Sequence, residues 1–246
     1  MTEKIRAAST VVVVRDNNNH LEVLLLARNP TIGGAHYGDA FVFPGGAVEK
    51  EDSHAAWKDV IIGADTIGPR FDDPNLSFDA FRIAAVRECF EEAGLLLGCA
   101  ERGVSLSQED GVAPYEKSFL DLCRESRFDL EDVVYTSHWL TPKGRPKRFD
   151  TRFFTAALPV GQTVRHDGVE ALAHHLLRPT QALSLFYNRK LTLWPPTQYS
   201  LLMLSEFSGV TDLMEFLTKR DADVIPRIYP RLDELKQPIF PWDKSY

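Results

Sequence analysis

Cysteine and methionine are scarce in this chain, three of each among 246 residues, and no long uninterrupted apolar run occurs. Each shortage excludes something. Cys89, Cys99 and Cys123 form an odd set with no Cys-x-x-Cys spacing, so a disulfide framework and a thiolate metal site are both disfavoured. They read as reduced, buried thiols of a cytoplasmic protein. Nothing approaches the ~18 apolar residues needed to span a bilayer, and residues 1–9 lack the apolar core of a signal peptide. No membrane partner is expected. Positive charge is in deficit as well: 28 Lys and Arg against 35 Asp and Glu leave a net charge of −7, which argues against nucleic acid as a partner. The last residues, Lys244-Ser245-Tyr246, do not spell the Ser-Lys-Leu peroxisomal address.

What remains is an ordinary globular composition, 44% hydrophobic and 26% charged, in a length that suits one domain over residues 1–246. One stretch carries most of the information. Between Asp79 and Gly94 there is no proline and no internal glycine. Ser77 can cap the start, Asp79 sits where the helix dipole favours an anion, and Gly94 can end the run, so a helix is expected from Phe78 to Ala93. At ~100° per residue, with Phe81 at zero, Glu88 and Glu92 fall within roughly 20° of that direction and Glu91 about 80° aside. Val86, Ile83 and Phe90 point the opposite way. One side can face a core; the other carries three carboxylates within five residues. Such a cluster repels itself. Either water solvates it, or a hard cation, Mg²⁺ or Mn²⁺, neutralises it.

The context of this helix carries a family resemblance. Arg87-Glu88-Cys89-Phe90-Glu91-Glu92-Ala93-Gly94-Leu95 resembles the second half of the Nudix box, and Phe43-Pro44-Gly45-Gly46 resembles its start. Counting back eight from Arg87 reaches Asp79, where the box has its first Glu. The usual box holds five residues between its Gly and that Glu, whereas 32 separate Gly46 from Asp79, so residues 47–78 read as an insertion. The long insertion, the segment Arg148-Phe149-Asp150-Thr151-Arg152-Phe153-Phe154 and Trp194-Pro195-Pro196-Thr197-Gln198-Tyr199 are similar to the acyl-coenzyme-A diphosphatase branch of that family, which includes peroxisomal enzymes. The resemblance implies an α/β fold, the Nudix α/β/α sandwich around a mixed β-sheet. It implies metal ligation by Glu88, Glu91 and Glu92 with a backbone carbonyl at Gly45, and Arg87 one turn before Glu91 to fix its rotamer. A further carboxylate, Glu170 in preference to Asp167, would serve as ligand or base.

The rest of the chain alternates strands and helices. Residues 9–14 and 21–26 are apolar runs joined by Asp16-Asn17-Asn18-Asn19-His20, a hairpin with strands covered on both faces. Arg28 follows it, a surface charge or a phosphate contact. Pro30, Gly33 and Gly34 mark a loop before a short strand over 40–43. Inside the insertion, Ser53 can cap a short helix reaching Ile61, and Gly68-Pro69 and Asp72 to Asn75 signal loops. Glu49 there is an exposed loop acid or a metal ligand. Leu95, Leu96 and Leu97 form a strand or the helix exit, residues 114–127 an amphipathic helix, and 133–140 and 149–158 two strands. The intervening turn holds Lys143, Arg145, Lys147 and Arg148, which solvate a turn or hold phosphates, with Arg145 and Arg148 the substrate-binding candidates. His166, His174 and His175 read as surface or packing residues. A helix is expected over 179–187, a break at 194–199, helices over 200–206 and 211–219, and an irregular tail; residues 179–246 thus form a helical extension.

Three functions fit this reading: hydrolysis of coenzyme A or acyl-coenzyme A, hydrolysis of ADP-ribose or of a dinucleotide such as NADH, and non-catalytic binding of a nucleotide by a sensor. The expected partner is a small nucleoside diphosphate. The insertion packs either over the site's rim or at a contact between two copies, which leaves a homodimer open.

Overall fold

The computed structural model describes residues 5–31, 40–62, 76–98, 118–124, 128–221 and 224–244. Cys99, the Gly33-Gly34 loop, the signals at 68–75 and both ends of the 114–127 segment lie outside them.

In chain order come β1 (Ile5–Asn17), β2 (His20–Arg28), β3 (Ala40–Val42), β4 (Gly45–Ala47), two 3₁₀ turns (Glu51–Ser53 and Ala55–Asp59), β5 (Ile61–Ile62) and α1 (Phe78–Ala93). Then follow α2 (Phe119–Arg124), β6 (Phe128–Asp129), β7 (Val134–Leu140), β8 (Arg148–Ala157) and β9 (Ala171–Leu177). The chain closes with α3 (Pro179–Tyr187), β10 (Thr192–Leu193), α4 (Pro195–Leu204), α5 (Val210–Thr218), β11 (Arg227–Ile228), β12 (Arg231–Leu232) and β13 (Pro238–Ile239).

Nine strands form one mixed sheet, with the path β10-β3-β2-β1-β8-β7-β11, β4 beside β1 and β9 beside β2. The hairpin turns at Asn18 and Asn19, both left-handed at φ 48° and 62°, a conformation that Asn tolerates better than most residues. Its pairing is short: Val14–Asn17 meets His20–Val23, and there the two strands part. Beyond that point β4 takes the freed edge of β1 from Ala8 to Thr10, and β3 takes that of β2 at Leu26 and Ala27. The Phe43-Pro44 link crosses the split, and the Val11 amide donates to the Pro44 carbonyl at 3.0 Å.

Alternate residues of the central strands feed two cores. Val11, Val13, Leu24 and Leu26 pack with Phe81, Val86 and Phe90 of α1; Val12, Val14, Val23 and Leu25 pack with Leu183 of α3, Leu201 of α4 and Leu213 of α5. Continuous apolar strands are what burial on both faces requires, and the result is the expected three-layer α/β/α arrangement.

Helix α1 has the expected ends. The Ser77 Oγ accepts from the Ala80 amide, and Gly94 is left-handed at φ 68° with its amide on the Phe90 carbonyl. Other expectations change. The segment from Ser53 forms two 3₁₀ turns, and His54 rather than Ser53 caps the second through Nδ1 on the Ala56 amide. Leu95, Leu96 and Leu97 leave α1 as a buried, non-strand exit. Pro195 and Pro196 do not break the chain; they begin α4, since proline's fixed φ suits a first helical turn whose N–H groups have no helical partner. Strand β9 was not anticipated. No helix among the described residues is long and apolar enough to cross a membrane.

A Cβ on Gly94 would sit 3.2 Å from the Arg165 carbonyl in a left-handed backbone. Gly94→Ala is therefore expected to lower unfolding free energy by about 1 kcal/mol or more, measured by urea denaturation; an unchanged midpoint would refute the cap.

Candidate active site

The carboxylate side of α1 faces the sheet. Phe81, on the same side as Glu88 and Glu92, is 2% exposed, and its carbonyl accepts from Ser9 Oγ of β1 at 2.6 Å. A solvated acidic face is thereby excluded: residues from Ala80 to Arg87 are all buried, and only Glu91 of the three acids is exposed. The three are graded by depth, with Glu92 against β4, Glu88 beside it and Glu91 at the rim.

The diglycine strand makes this approach feasible. The Gly45 amide donates to Glu92 Oε2 at 3.1 Å. A Cβ on Gly46 would collide with the Glu88 carboxylate, and one on Gly45 with the Ser9 carbonyl and Thr10. Only glycine lets the strand lie between β1 and the helix carboxylates. The expected closeness of Gly45 to the acids is thus present, with its amide as the group in contact.

Arg87 organises the acids. It is buried, and its Nη1 donates to Glu88 Oε1 at 2.9 Å and to Glu91 Oε2 at 3.0 Å. Nε and Nη2 grip both oxygens of Asp52 at 2.9 and 3.1 Å, and Nη2 also reaches the Ala47 carbonyl at 3.0 Å. Burial works against this guanidinium's charge, but Asp52 and the two glutamates outweigh it and hold Arg87 firmly protonated.

Asp52 was not singled out from the sequence. It is 2% exposed and also accepts from the Glu49 amide at 2.8 Å, closing its own turn. It corrects the alignment of the box. Asp52, not Asp79, is the acid of Arg87, while Asp79 lies beside Arg82. Five residues separate Gly46 from Asp52, the usual box spacing. The added chain therefore lies between Asp52 and α1 rather than from residue 47 onward. Counting forward from Gly46 would have found it.

Glu88 and Glu92 carry strain in charge. Burial pushes Glu88 up to about 7, with Arg87 opposing and Glu91 and Glu170 adding to the rise. Burial likewise lifts Glu92 to about 8; Glu88 and Glu170 add to it, while the Gly45 amide and Arg28 pull the other way. Glu91 is raised by burial against Arg87, with Glu49 contributing. Glu170 and Arg28 thus both lie within electrostatic reach of the helix pair. The Asn29 amide donates to the Glu170 carbonyl at 2.8 Å, joining the end of β2 to the loop before β9. Asp167 is occupied structurally, accepting from the amides of Val169, Glu170 and Ala171. Arg28 Nε is buried with no hydrogen-bond partner.

The basic turn is not part of this site. Arg148 is 6% exposed and its Nε donates to the Thr141 carbonyl at 2.9 Å. It pairs with Ile5, while Gly45 pairs with Thr10, five residues along β1; at ~3.3 Å per residue that is roughly 16 Å away. Arg145 is exposed and donates to the Lys236 carbonyl of the tail at 3.3 Å. His166 and His174 bond one another through Nδ1 at 3.1 Å, and His175 packs on Phe41.

A sheet split by a diglycine strand, with an arginine-organised glutamate helix above it, defines the Nudix hydrolase class. The chain belongs to the family described as the NUDT19 Nudix domain, whose model matches residues 4–204. It is 31% identical over 257 residues to acyl-coenzyme A diphosphatase NUDT19 of Homo sapiens, covering 85% of this chain and 67% of that protein. Against the protein of the same name from Xenopus laevis it is 28% identical over 279 residues, covering 94% and 73%. A Nudix hydrolase structure from Alicyclobacillus acidocaldarius superposes with a TM-score of 0.71 at 28% identity, covering 90% of this chain and all of that one. The protein is an enzyme that hydrolyses diphosphate bonds.

Two outcomes test the site. Asp52→Ala leaves the Arg87 charge buried without its main partner, so stability should fall by about 3 kcal/mol and turnover with it; calorimetry and a rate assay check this. The second follows from the raised acids. Their folded values, about 7 and 8, exceed the ordinary 4.5, so the folded state holds protons that the unfolded chain has released. Their contribution is fully present below about pH 4.5 and lost as pH climbs through 7 to 8. In chelator, this contribution should appear as a fall in Tm between pH 5 and 8 that is absent from the Glu88→Gln/Glu92→Gln double variant.

Proposed function

We propose that this Nudix hydrolase cleaves the diphosphate of coenzyme A or an acyl-coenzyme A, with Mg²⁺ or Mn²⁺ bound at the α1 carboxylates. The observation that carries the substrate is the 28–31% identity to proteins named acyl-coenzyme A diphosphatase over 85–94% of this chain. The donor set supports the cation. Glu88 and Glu92 are buried close to each other and to Glu170, so burial first and mutual repulsion second disfavour their charged forms. Among the described residues no three His, Cys, Asp or Glu side chains stand grouped as a metal would need them, because Glu88 is turned to Arg87 and Glu92 to Gly45. Hard carboxylate oxygens are the ligands that Mg²⁺ and Mn²⁺ prefer, so Glu88 and Glu92 would be principal ligands, with Glu91 and the Gly45 backbone completing the set.

Bound there, a divalent cation offsets phosphate charge and lowers the pKa of water. The chain's own residues do the rest. Arg87, locked by Asp52, fixes the rotamers of Glu88 and Glu91. Arg28 offers its unpartnered Nε to a phosphate oxygen. Glu170, exposed at the rim, accepts the proton of the attacking water as the new P–O bond forms and the anhydride P–O bond breaks. The phosphate on the other side departs with the bonding pair.

Glu88→Gln and Glu92→Gln should each fold and lose roughly 10²-fold or more in kcat, the scale of removing a main electrostatic stabiliser. A panel of acyl-coenzyme A, coenzyme A, ADP-ribose and NADH, with products resolved chromatographically, reads the substrate. Preference for either coenzyme A form supports the assignment; faster cleavage of ADP-ribose or NADH overturns it.

A further inference from the structure

Strand β7 sends alternate side chains to opposite layers. His138 goes to the α1 layer, where it meets Asp150 and Arg152, and the Arg152 guanidinium lies over the Phe81 ring at 4.9 Å. Ser137 and Trp139 go to the other layer, toward α4 and α5. Their polar atoms are left over: Ser137 is 1% exposed and Trp139 4%, and neither Ser137 Oγ nor Trp139 Nε1 has a hydrogen-bond partner.

Arg220, two residues past α5, comes to the same strand. It donates to the Thr136 carbonyl at 3.2 Å and stands over the Phe216 ring at 5.4 Å, and its Nε also lacks a partner. Among the described residues no carboxylate pairs with it. Burial lowers its pKa, opposed by the Tyr199 phenol. Tyr199 closes the group from α4, edge-on to Trp139 with ring centroids 5.6 Å apart. Trp242 stacks on Tyr199 at 5.5 Å and Phe240 on Trp242 at 5.1 Å, and Trp242 is 54% exposed.

Each of these orphaned donors costs about 1–3 kcal/mol if nothing ever satisfies it, and native structures seldom keep several together without use. An indole N–H and a guanidinium only donate, and a hydroxyl can. The missing component is therefore rich in acceptors, and the unpaired guanidinium makes it an anion. We propose that Ser137, Trp139 and Arg220 form a second, oxyanion-accepting site for a phosphomonoester, with Tyr199 and Trp242 as the stacking rim for a base attached to it. The site is distinct from the carboxylates. Ser137 pairs with Phe153, Phe153 with Thr10, and Thr10 with Gly45; three strand spacings of ~4.8 Å put it roughly 14 Å from the diglycine strand, on the opposite layer. It does not depend on which diphosphate the enzyme cleaves.

The test uses the full chain in chelator, with tryptophan fluorescence as readout. Inorganic phosphate and 3′,5′-ADP are titrated separately. A saturable change that is lost in Trp139→Phe, weakened about tenfold or more in Arg220→Gln, and retained in Glu88→Gln/Glu92→Gln supports the site. Tighter binding of 3′,5′-ADP than of phosphate assigns the rim to a nucleotide; equal binding assigns the site to a free phosphate. No saturable change, or one that Arg220→Gln leaves intact, overturns the proposal. Should Arg220→Gln fail to fold, crystals of the unmutated protein soaked in arsenate decide: anomalous density within hydrogen-bond reach of Arg220 and Trp139 supports the site, and its absence there refutes it.

Discussion

The fork between Arg87 and Asp52 is the contact on which the site depends. It joins a helix residue to a turn 35 positions earlier, and both partners are buried. A buried pair of this kind gains little net stability over apolar packing. Its value here is geometric. Three faces of one guanidinium are assigned at once, to Asp52, to the Ala47 carbonyl and to Glu88 and Glu91. Since a planar guanidinium offers its donors in fixed directions, setting one edge sets the others. The turn after the diglycine strand thereby dictates where the helix carboxylates point.

That constraint explains how a long insertion is tolerated. The segment from Asp52 to α1 can lengthen because its two ends are pinned independently, Asp52 to Arg87 and Ser77 to the helix start. Closing a longer loop between fixed ends adds only about 0.6 kcal/mol per doubling of length. Trp57 secures the near end: its Nε1 donates to the Glu51 carbonyl, and its ring packs with Phe119 and Phe128. With both ends of the box held in this way, its register does not depend on the length of chain between them.

How far the sequence could be read depended on where the information lay. Helix α1 was legible to the residue because Ser77 and Gly94 are local stop signals, and the hairpin because its turn is asparagine-rich. The carboxylates and the diglycine strand were legible as a spaced pattern. What failed was long-range or ambiguous. Asp79 fits when counting from Arg87, and Asp52 when counting from Gly46; only the fold shows which acid reaches the guanidinium. Arg148 looked like a free loop cation, yet it begins β8 and is spent on the Thr141 carbonyl. Strand β9 contains no β-branched residue and carries adjacent histidines, so its pairing with β2 had no local signature.

The same reasoning separates the two polar groups on β7. His138 and its neighbours bond one another, and Tyr229 reaches the remaining His138 nitrogen at 3.4 Å, so both nitrogens of that imidazole have partners within the protein. Across the strand, Ser137 and Trp139 have donors and no acceptor. On one face Asp150 already meets the Arg152 guanidinium, whereas among the described residues no carboxylate meets Arg220 on the other. The α1 carboxylates crowd negative charge on one layer and Arg220 stands without a carboxylate on the other, so the two proposed ligands, a cation and an anion, would sit on opposite layers of one sheet.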